Sequence, residues 1–306
     1  MPPQKYFSEH PEYYSLIDGE RNPAQLCLTN PEVVKIAAEN VKESLKAHPN
    51  SELISVSAND QREFCTCKNC WAIDKAEKSP AGALIHFVNE VAKIVEKDYT
   101  NVFISTLAYH SSAKPPKTLR PHRNVAIRFC TDSCMWERPF VSIKDDTGPV
   151  YDSDRFYAGL VEEGEEISCR KFFLDWTKIH DRIHVWDYPV NYSHFLAPMP
   201  NMQVVADNIR FFAEHGATGI MEEGPWRRYA ERGNMRAWVY AKLLWNPRWD
   251  VRKLMQDFIW GYYGKAAPTI ADYNELLQRT AEEHKPRIIH QTLTVDSPRA
   301  SAGRRA

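Results

Sequence analysis

The hydrophobic and polar positions of this chain follow two alternating periods. Short, nearly continuous apolar runs, such as residues 101–110 (NVFISTLAYH), are typical of buried strands. Longer stretches with apolar residues three and four positions apart, such as residues 31–49 and 79–99, are typical of amphipathic helices. The pattern predicts strands at residues 24–30, 51–60, 101–110, 124–130, 182–189 and 217–225.

Each predicted strand but the last is followed by a helix or by a long, partly helical segment. A helix start is indicated at Asn30-Pro31, because Asn caps helices and Pro fits the first turn. Further helices are predicted from about residue 169 and over residues 201–216, the latter ending at Gly216. Repeated strand–helix units are typical of a parallel sheet covered by helices. After the last strand the pattern is helical only.

The predicted fold class is α/β, a (β/α)8 TIM-barrel-like architecture that is incomplete, with six recognisable strand–helix units and a C-terminal helical region. We predict that residues 1–228 form the partial barrel domain, that residues 229–285 form C-terminal helices packed on it, and that residues 286–306 are a disordered tail. The alternative is a complete doubly wound sheet of six strands, which gathers its polar groups at one switch point. The barrel is favoured because polar and aromatic residues follow nearly every predicted strand.

Composition limits the classes of partner. The 306 residues include 39 Lys and Arg against 40 Asp and Glu, a net charge of −1, so nothing favours nucleic acid or an anionic membrane. No apolar run approaches the roughly 18 residues of a membrane span, and the first residues do not resemble a signal peptide. The glycines form neither a dinucleotide-binding loop nor a phosphate-binding loop, and there is no GxSxG motif. Localisation and oligomeric state stay open.

Carboxylates and aromatic side chains cluster where the predicted strands end. In a barrel these ends meet at one mouth. Carboxylates beside aromatic rings indicate glycoside cleavage, which needs one acid to protonate the leaving oxygen and a second group to stabilise the anomeric centre. The candidate catalytic residues are Glu222, Glu223 and Asp60. The candidate residues that bind the carbohydrate substrate are Asn59, Tyr109, His110, Trp186, Asp187, Tyr188 and Trp226.

Each candidate also has a structural interpretation. Asp60 follows Asn59 in a pair that favours turns. Glu222 and Glu223 are adjacent on a strand, so only one of them can face the mouth, and the other is then free to cap a helix or pair with an arginine. The aromatic residues are, in this interpretation, half-buried core residues. Functional use of one of the two glutamates is the strongest single hypothesis.

Cys65, Cys67 and Cys70 form a Cys-x-Cys-x2-Cys motif after the second predicted strand. Three thiolates at this spacing can hold a zinc ion in a tight turn, but a structural zinc site takes four ligands. Cys27 and His86 are the candidates for the fourth ligand. Free thiols and a disulfide are the alternatives. The motif predicts a candidate structural zinc site, and catalysis by carboxylates requires no cofactor.

Several long strings resemble one known family. They include YFSEHPEYYSLIDGER, SVSANDQREFCTCKNC, HVWDYPVNY, APMPNMQVVADNIRFFAEHGATGIMEEG and AKLLWNPRWDVRKLMQDFIWGYYG, and they run from about residue 6 to residue 273. They are similar to the domain of unknown function 4838, part of which resembles glycoside hydrolase family 163, endo-acting β-N-acetylglucosaminidases on N-glycans. The resemblance implies a (β/α)8 barrel and a retaining mechanism in which the N-acetyl group of the substrate is the nucleophile.

That mechanism implies one carboxylate that orients and polarises the acetamido group and another that acts as acid and base. Asp60 and either Glu222 or Glu223 match these roles. Relatives usually carry more barrel upstream of YFSEHPEYYSL, so this chain is expected to be part of a longer barrel, and full-length relatives are expected to be secreted or periplasmic. The alternatives are a non-catalytic glycan-binding or inactive fragment, and an exo-acting glycosidase similar to α-glucuronidases.

Overall fold

The structure is a computed structural model of the 306-residue chain. It describes residues 5–60, 63–132, 134, 159–161, 165–192, 194–225, 229–284, 287–289 and 292–294. Its strands are β1 (Tyr14–Ile17), β2 (Glu20–Leu26), β3 (Leu53–Ser55), β4 (Phe103–Ala108), β5 (Val125–Cys130), β6 (Ile183–Asp187), β7 (Ala217–Glu222), β8 (Arg287–Ile289) and β9 (Thr292–Thr294). Its helices are α1 (Pro31–Ala47), α2 (Lys68–Glu77), α3 (Ala81–Glu96), α4 (Cys169–Ile179), α5 (Met202–Glu214), α6 (Gly233–Trp245), α7 (Val251–Tyr263) and α8 (Ala267–His284).

Five strands form one parallel sheet in the order β3-β4-β5-β6-β7. In register, Ile54 of β3 lies opposite Ile104 of β4, and Thr106 of β4 lies opposite Ile127 of β5. Each strand therefore lies beside the next one along the chain. A doubly wound sheet would reverse its strand order at a switch point. The observed order has no such reversal, so it agrees with the barrel-like prediction and not with the doubly wound alternative. The described strands make an open sheet of five rather than a closed barrel of eight.

The first predicted strand does not belong to this sheet, so six strand–helix units are corrected to five in the described residues. β2 instead pairs antiparallel with β1 across a turn at Asp18-Gly19. Both turn residues have positive φ (50° and 85°), as in the Asp-Gly turns that join tight hairpins. A strand-like run before a capped helix looks the same in the sequence whichever strand it pairs with, and this is why the pattern misplaced it.

The predicted helices are present, and their ends have local causes. Asn30 caps α1, where its side-chain oxygen accepts from the backbone N–H groups of Glu32 and Val33 at 2.9 and 3.4 Å. α5 is followed by Gly216 at a φ of 96°, which favours glycine. The sequence pattern did not predict α2, which begins inside the cysteine motif.

Contacts divide the chain into two compact units. The first takes its described residues from Met1–Thr131, Thr147–Val185 and Gly216–Gly219, and the second from Asp132–Asp146, Trp186–His215 and Ile220–Ala306. In the first unit α3 contacts α1, α2 and β4, and the strands β4 and β5 are largely buried. The core of the second unit joins α5, α6 and α7 around residues such as Ile209, Val239 and Met255.

The predicted division at residue 228 lies among residues outside the described part of the chain and stays a prediction. The same holds for the predicted disordered tail, of which the structure describes only the antiparallel pair β8 and β9. Across the described helices, none combines the length and the apolar character that a bilayer crossing requires.

Asp74 of α2 makes the stability of the first unit depend on pH. Its side chain is buried, its Oδ1 accepts from the backbone N–H of Ala83 at 2.7 Å, and burial raises the pKa of Asp74 to about 8. The folded state therefore keeps a proton that the unfolded state releases, so stability is lost as the pH rises from about 4 to about 8, at most by about 1.4 kcal/mol per pH unit.

Asp74→Asn is expected to flatten this loss, because the amide keeps the acceptor for Ala83 and never ionises. The measurement is the urea midpoint of the first unit from pH 5 to 9, for the wild type and the variant. Asp181→Asn, at an exposed acid of the same unit, is the matched control and is expected to follow the wild type. Identical slopes for Asp74→Asn and the wild type would contradict the assignment.

Candidate functional site

Two acidic side chains end neighbouring strands in the second unit. Asp187 is the last residue of β6 and is 3% exposed, and Glu222 is the last residue of β7. Part of Glu222 reaches solvent, but both of its carboxylate oxygens are buried. The backbone N–H of Glu223 donates to the carbonyl oxygen of Asp187 at 2.9 Å, which ties the two strand ends together.

The surroundings of Glu222 favour its protonated form. Burial raises the pKa of Glu222 well above its ordinary value, and the negative charge of Asp187 raises it further. Among the described residues, no donor meets either carboxylate oxygen of Glu222 at hydrogen-bond length. Burial and the charge of Asp187 therefore both favour a proton on Glu222, which is what a general acid requires.

Glu223 has different surroundings from its neighbour. Its Oε2 accepts from the indole N–H of Trp186 at 2.5 Å, and its carbonyl oxygen accepts from the hydroxyl of Tyr192 at 2.8 Å. Burial raises the pKa of Tyr192, and the charges of Glu223 and Asp187 raise it further, so the phenol stays a donor. Glu223 is thus held in place at both its side chain and its backbone.

Aromatic rings lie beside these acids. The rings of Trp186 and Tyr188 are stacked, with centroids 6.1 Å apart and planes 8° from parallel. Tyr192 meets Tyr188 edge-on at 5.7 Å, and Phe195 meets Tyr192 edge-on at 6.1 Å. Trp186, Tyr188 and Tyr192 are half-buried. The sequence-based candidates missed Tyr192 and Phe195, although the former closes the aromatic string WDYPVNY.

A buried arginine supports the loop that carries these rings. Arg236 of α6 donates to Asn201 Oδ1 and to the hydroxyl of Tyr240, both at 2.8 Å, and it pairs with Glu231 at 3.0 Å. It also donates to the carbonyl oxygen of Met199. The side-chain amide of Asn201 donates in turn to the carbonyl of Pro189. Both ends of the loop after β6 are therefore tied to α6, a role that no sequence motif indicated.

The other predicted site residues lie in the first unit. The hydroxyl of Tyr109 donates to Asp60 Oδ1 at 3.1 Å. Asn59 is tied to β2, since its amide donates to the carbonyl of Ala24 at 2.5 Å and its backbone exchanges two 3.0 Å bonds with the side chain of Gln25. Asp60 and Asn59 are exposed.

A cavity of about 320 Å³ opens in the first unit beside Asn59 and Tyr109. Its other walls are the apolar face of α1, residues of α3 and the end of β3. His110, next to Tyr109, has a φ of 47°, a strained conformation for a residue with a side chain. Trp226, the last predicted binding residue, lies outside the described residues.

The cysteine motif gains a fourth member in the structure. Sγ atoms of Cys27, Cys65, Cys67 and Cys70 all lie within 4.8 Å of one another. Cys27, which directly follows β2, lies beside the three other cysteines. Of the two candidates for the fourth ligand, the group therefore contains Cys27 and not His86. Such a group can hold a metal ion.

The fold and these residues define an α/β protein of barrel-like strand order, with acidic and aromatic side chains at the carboxyl ends of its parallel strands. The chain belongs to the family described as domain of unknown function DUF4838, whose model matches residues 1–275. This confirms the family resemblance of its sequence strings. No curated protein matches the chain.

Proposed function

We propose that this protein is a glycoside hydrolase that acts on N-acetylhexosamine-containing glycans. The observation that carries the proposal is the enclosed carboxyl group of Glu222 near buried Asp187, where burial and the neighbouring charge both raise the pKa of Glu222. The stacked rings of Trp186 and Tyr188 next to this pair supply a flat apolar surface of the kind on which sugar rings lie.

In the proposed reaction Glu222 is the acid. The acetamido oxygen of the substrate attacks the anomeric carbon as the glycosidic C–O bond breaks, and the proton of Glu222 passes to the leaving oxygen. Asp187 accepts the acetamido N–H and stabilises the positive charge of the resulting oxazolinium ring. Water then opens that ring at the anomeric carbon and returns a proton to Glu222. The anomeric configuration is retained, since the carbon is attacked twice.

Glu223 is a positioning residue in this proposal, because its contacts hold Trp186 and the backbone of Asp187. The role predicted for Asp60 stays a prediction, since its contacts lie in the first unit with Tyr109. The reaction needs no cofactor, and the zinc predicted for the cysteine cluster takes no part in it.

The test is release of an aryl group from an aryl N-acetylchitobioside, with the matching aryl cellobioside, which lacks the acetamido groups, as the control substrate. Turnover of the first substrate alone, with tight inhibition by a thiazoline analogue of the oxazolinium ring, supports the proposal. Equal turnover of both substrates would favour direct attack by a carboxylate, as in the exo-acting alternative. Saturable glycan binding without turnover would favour the non-catalytic alternative.

Trp186 is expected to contribute to substrate binding through its ring. Trp186→Ala removes both the stack on Tyr188 and the donor to Glu223, and we expect KM for the chitobioside to rise about tenfold, equivalent to about 1.4 kcal/mol. Trp186→Phe keeps a ring and is expected to show a smaller rise. Trp245→Ala, at an exposed tryptophan that ends α6, is the control and is expected to leave KM unchanged. Equal KM values for all variants would show that the ring of Trp186 does not contribute to substrate binding.

A further inference from the structure

The four cysteines come from two parts of the first unit that lie far apart in the sequence, the end of the hairpin and residues 65–70. Cys27 follows the hairpin strand β2, Cys65 lies in the segment after β3, and Cys67 and Cys70 begin α2. None of the four is disulfide-bonded. Three are buried and Cys67 is partly exposed. Four thiols gathered this closely are the number of ligands that a structural zinc site takes.

The sulfur spacing fits a tetrahedral metal site. The Sγ atoms of Cys27 and Cys67 are 3.7 Å apart. A zinc ion with four sulfur ligands at about 2.3 Å places its sulfurs about 3.8 Å from one another, because they occupy the corners of a tetrahedron. A disulfide needs a separation near 2.05 Å instead. The spacing therefore suits sulfur atoms around an ion better than sulfur atoms bonded in pairs.

Donors surround the sulfurs, as they do around metal thiolates. The backbone N–H of Leu16 donates to Cys65 Sγ at 3.3 Å, and the hydroxyl of Thr29 lies 3.2 Å from Cys70 Sγ. Cys67 occupies the N-cap position of α2, but its sulfur makes no capping hydrogen bond and lies instead against Cys27 Sγ. Such outer contacts stabilise the thiolate form that a metal needs and fix its direction.

We infer that Cys27, Cys65, Cys67 and Cys70 bind one structural zinc ion that fastens the β1–β2 hairpin to the start of α2. Four sulfur ligands fill the coordination sphere, which leaves no open position for a substrate. A two-stranded hairpin is at best marginally stable by itself, and the ion supplies a link across 40 residues of chain. The same two segments are also joined by the bonds of Thr66 to the carbonyl of Leu16 and by the bond of the Leu16 N–H to Cys65 Sγ.

The inference does not rest on the proposed glycosidase activity, because its test uses no substrate. The full chain is purified without added metal or chelator, and its metal content is measured by mass spectrometry. We expect about one zinc ion per chain. Exchange of the metal for Co²⁺ is expected to produce the intense visible bands and the near-ultraviolet charge-transfer band of a tetrahedral thiolate site. Removal of the ion by a strong chelator is expected to lower the unfolding midpoint by about 10 °C.

Cys67→Ser is the test variant, because Cys67 is the ligand with the least buried side chain, and Cys130→Ser is the matched control at a buried, non-disulfide cysteine that ends β5. Cys67→Ser is expected to lose most of the bound zinc, whereas Cys130→Ser keeps it. If Cys67→Ser does not fold, the Co²⁺ spectrum of the wild type tests whether the four thiolates bind a metal ion. Reduced wild type with no zinc and no Co²⁺ spectrum overturns the inference, and iron in place of zinc overturns the choice of metal.

Discussion

Glu222→Gln is expected to lower kcat/KM for the aryl chitobioside by about 10²- to 10⁴-fold, the range found when a general acid is removed. The amide has the shape of the acid but no proton to give to the leaving oxygen. Because the leaving group then departs unassisted, substrates with better aryl leaving groups are expected to lose less. The measurement is kcat/KM for a series of aryl groups of different acidity.

The pH dependence follows from the same residue. Glu222 must be protonated, and its raised pKa extends activity above the range of an ordinary carboxyl, with kcat/KM falling as the pH rises through that raised value. Asp187→Asn removes the charge that helps to raise this pKa, so the alkaline fall is expected to move to lower pH. A purely structural role for Asp187 would lower activity without moving the fall.

Glu214→Gln is the matched control for Glu222→Gln, since Glu214 is exposed at the end of α5 in the same unit. It is expected to retain wild-type kcat/KM. Wild-type activity in Glu222→Gln would remove Glu222 as the acid, and loss of activity in Glu223→Gln alone would transfer the role to Glu223. A folded Glu222→Gln variant is expected, because the substitution replaces one uncharged group with another in the buried pair.

Arg236→Met is expected to destabilise the second unit by about 3 kcal/mol, the lower end of the range for breaking a buried ion pair. The Arg236 side chain is 4% exposed, and its removal takes away the bonds that it donates to Glu231, Asn201 and Tyr240. The lower end applies because Arg232 still pairs with Glu231. The measurement is the free energy of unfolding of the second unit in urea.

Arg252→Met is the control for this substitution. Arg252 also pairs with a glutamate, Glu282, but both side chains are more than half exposed. Exposed pairs contribute about 0–1 kcal/mol, so this variant is expected to unfold close to the wild type. Equal losses in the two variants would mean that the buried network around Arg236 contributes no more than a surface pair.

Much of the local structure could be predicted from the sequence. The Asn30 cap of α1 and the glycine after α5 depend on neighbours within one helical turn, and the apolar runs of β4 and β5 depend only on burial of successive residues. The position of Asp187 and Glu222 at strand ends follows from the same runs. The Asp18-Gly19 turn is also a local signal, because Asp-Gly pairs readily adopt the positive φ that such turns require.

Partner choice between distant segments was beyond the sequence. A strand pattern predicts that a strand forms, but it does not predict which strand lies beside it, because that depends on contacts with residues far away in the sequence. For this reason the sequence did not show that β2 pairs with β1 in a hairpin. The same limit applies to the fourth cysteine. Cys27 and His86 are both compatible with the sequence motif, and only the folded structure shows that Cys27 lies beside the other three cysteines.

By itself, the sequence determined that two adjacent glutamates lie near the end of the last predicted parallel strand and that their side chains point to opposite faces. It did not determine which of them is enclosed. Only the tertiary structure buries the carboxylate of Glu222 near Asp187, which lies 35 positions earlier in the sequence. It is also the tertiary structure that brings the indole N–H of Trp186 to the carboxylate of Glu223. The reason is physical: alternation along a strand is a local property, whereas a pKa depends on all the charges and all the solvent that folding brings near the group or removes from it.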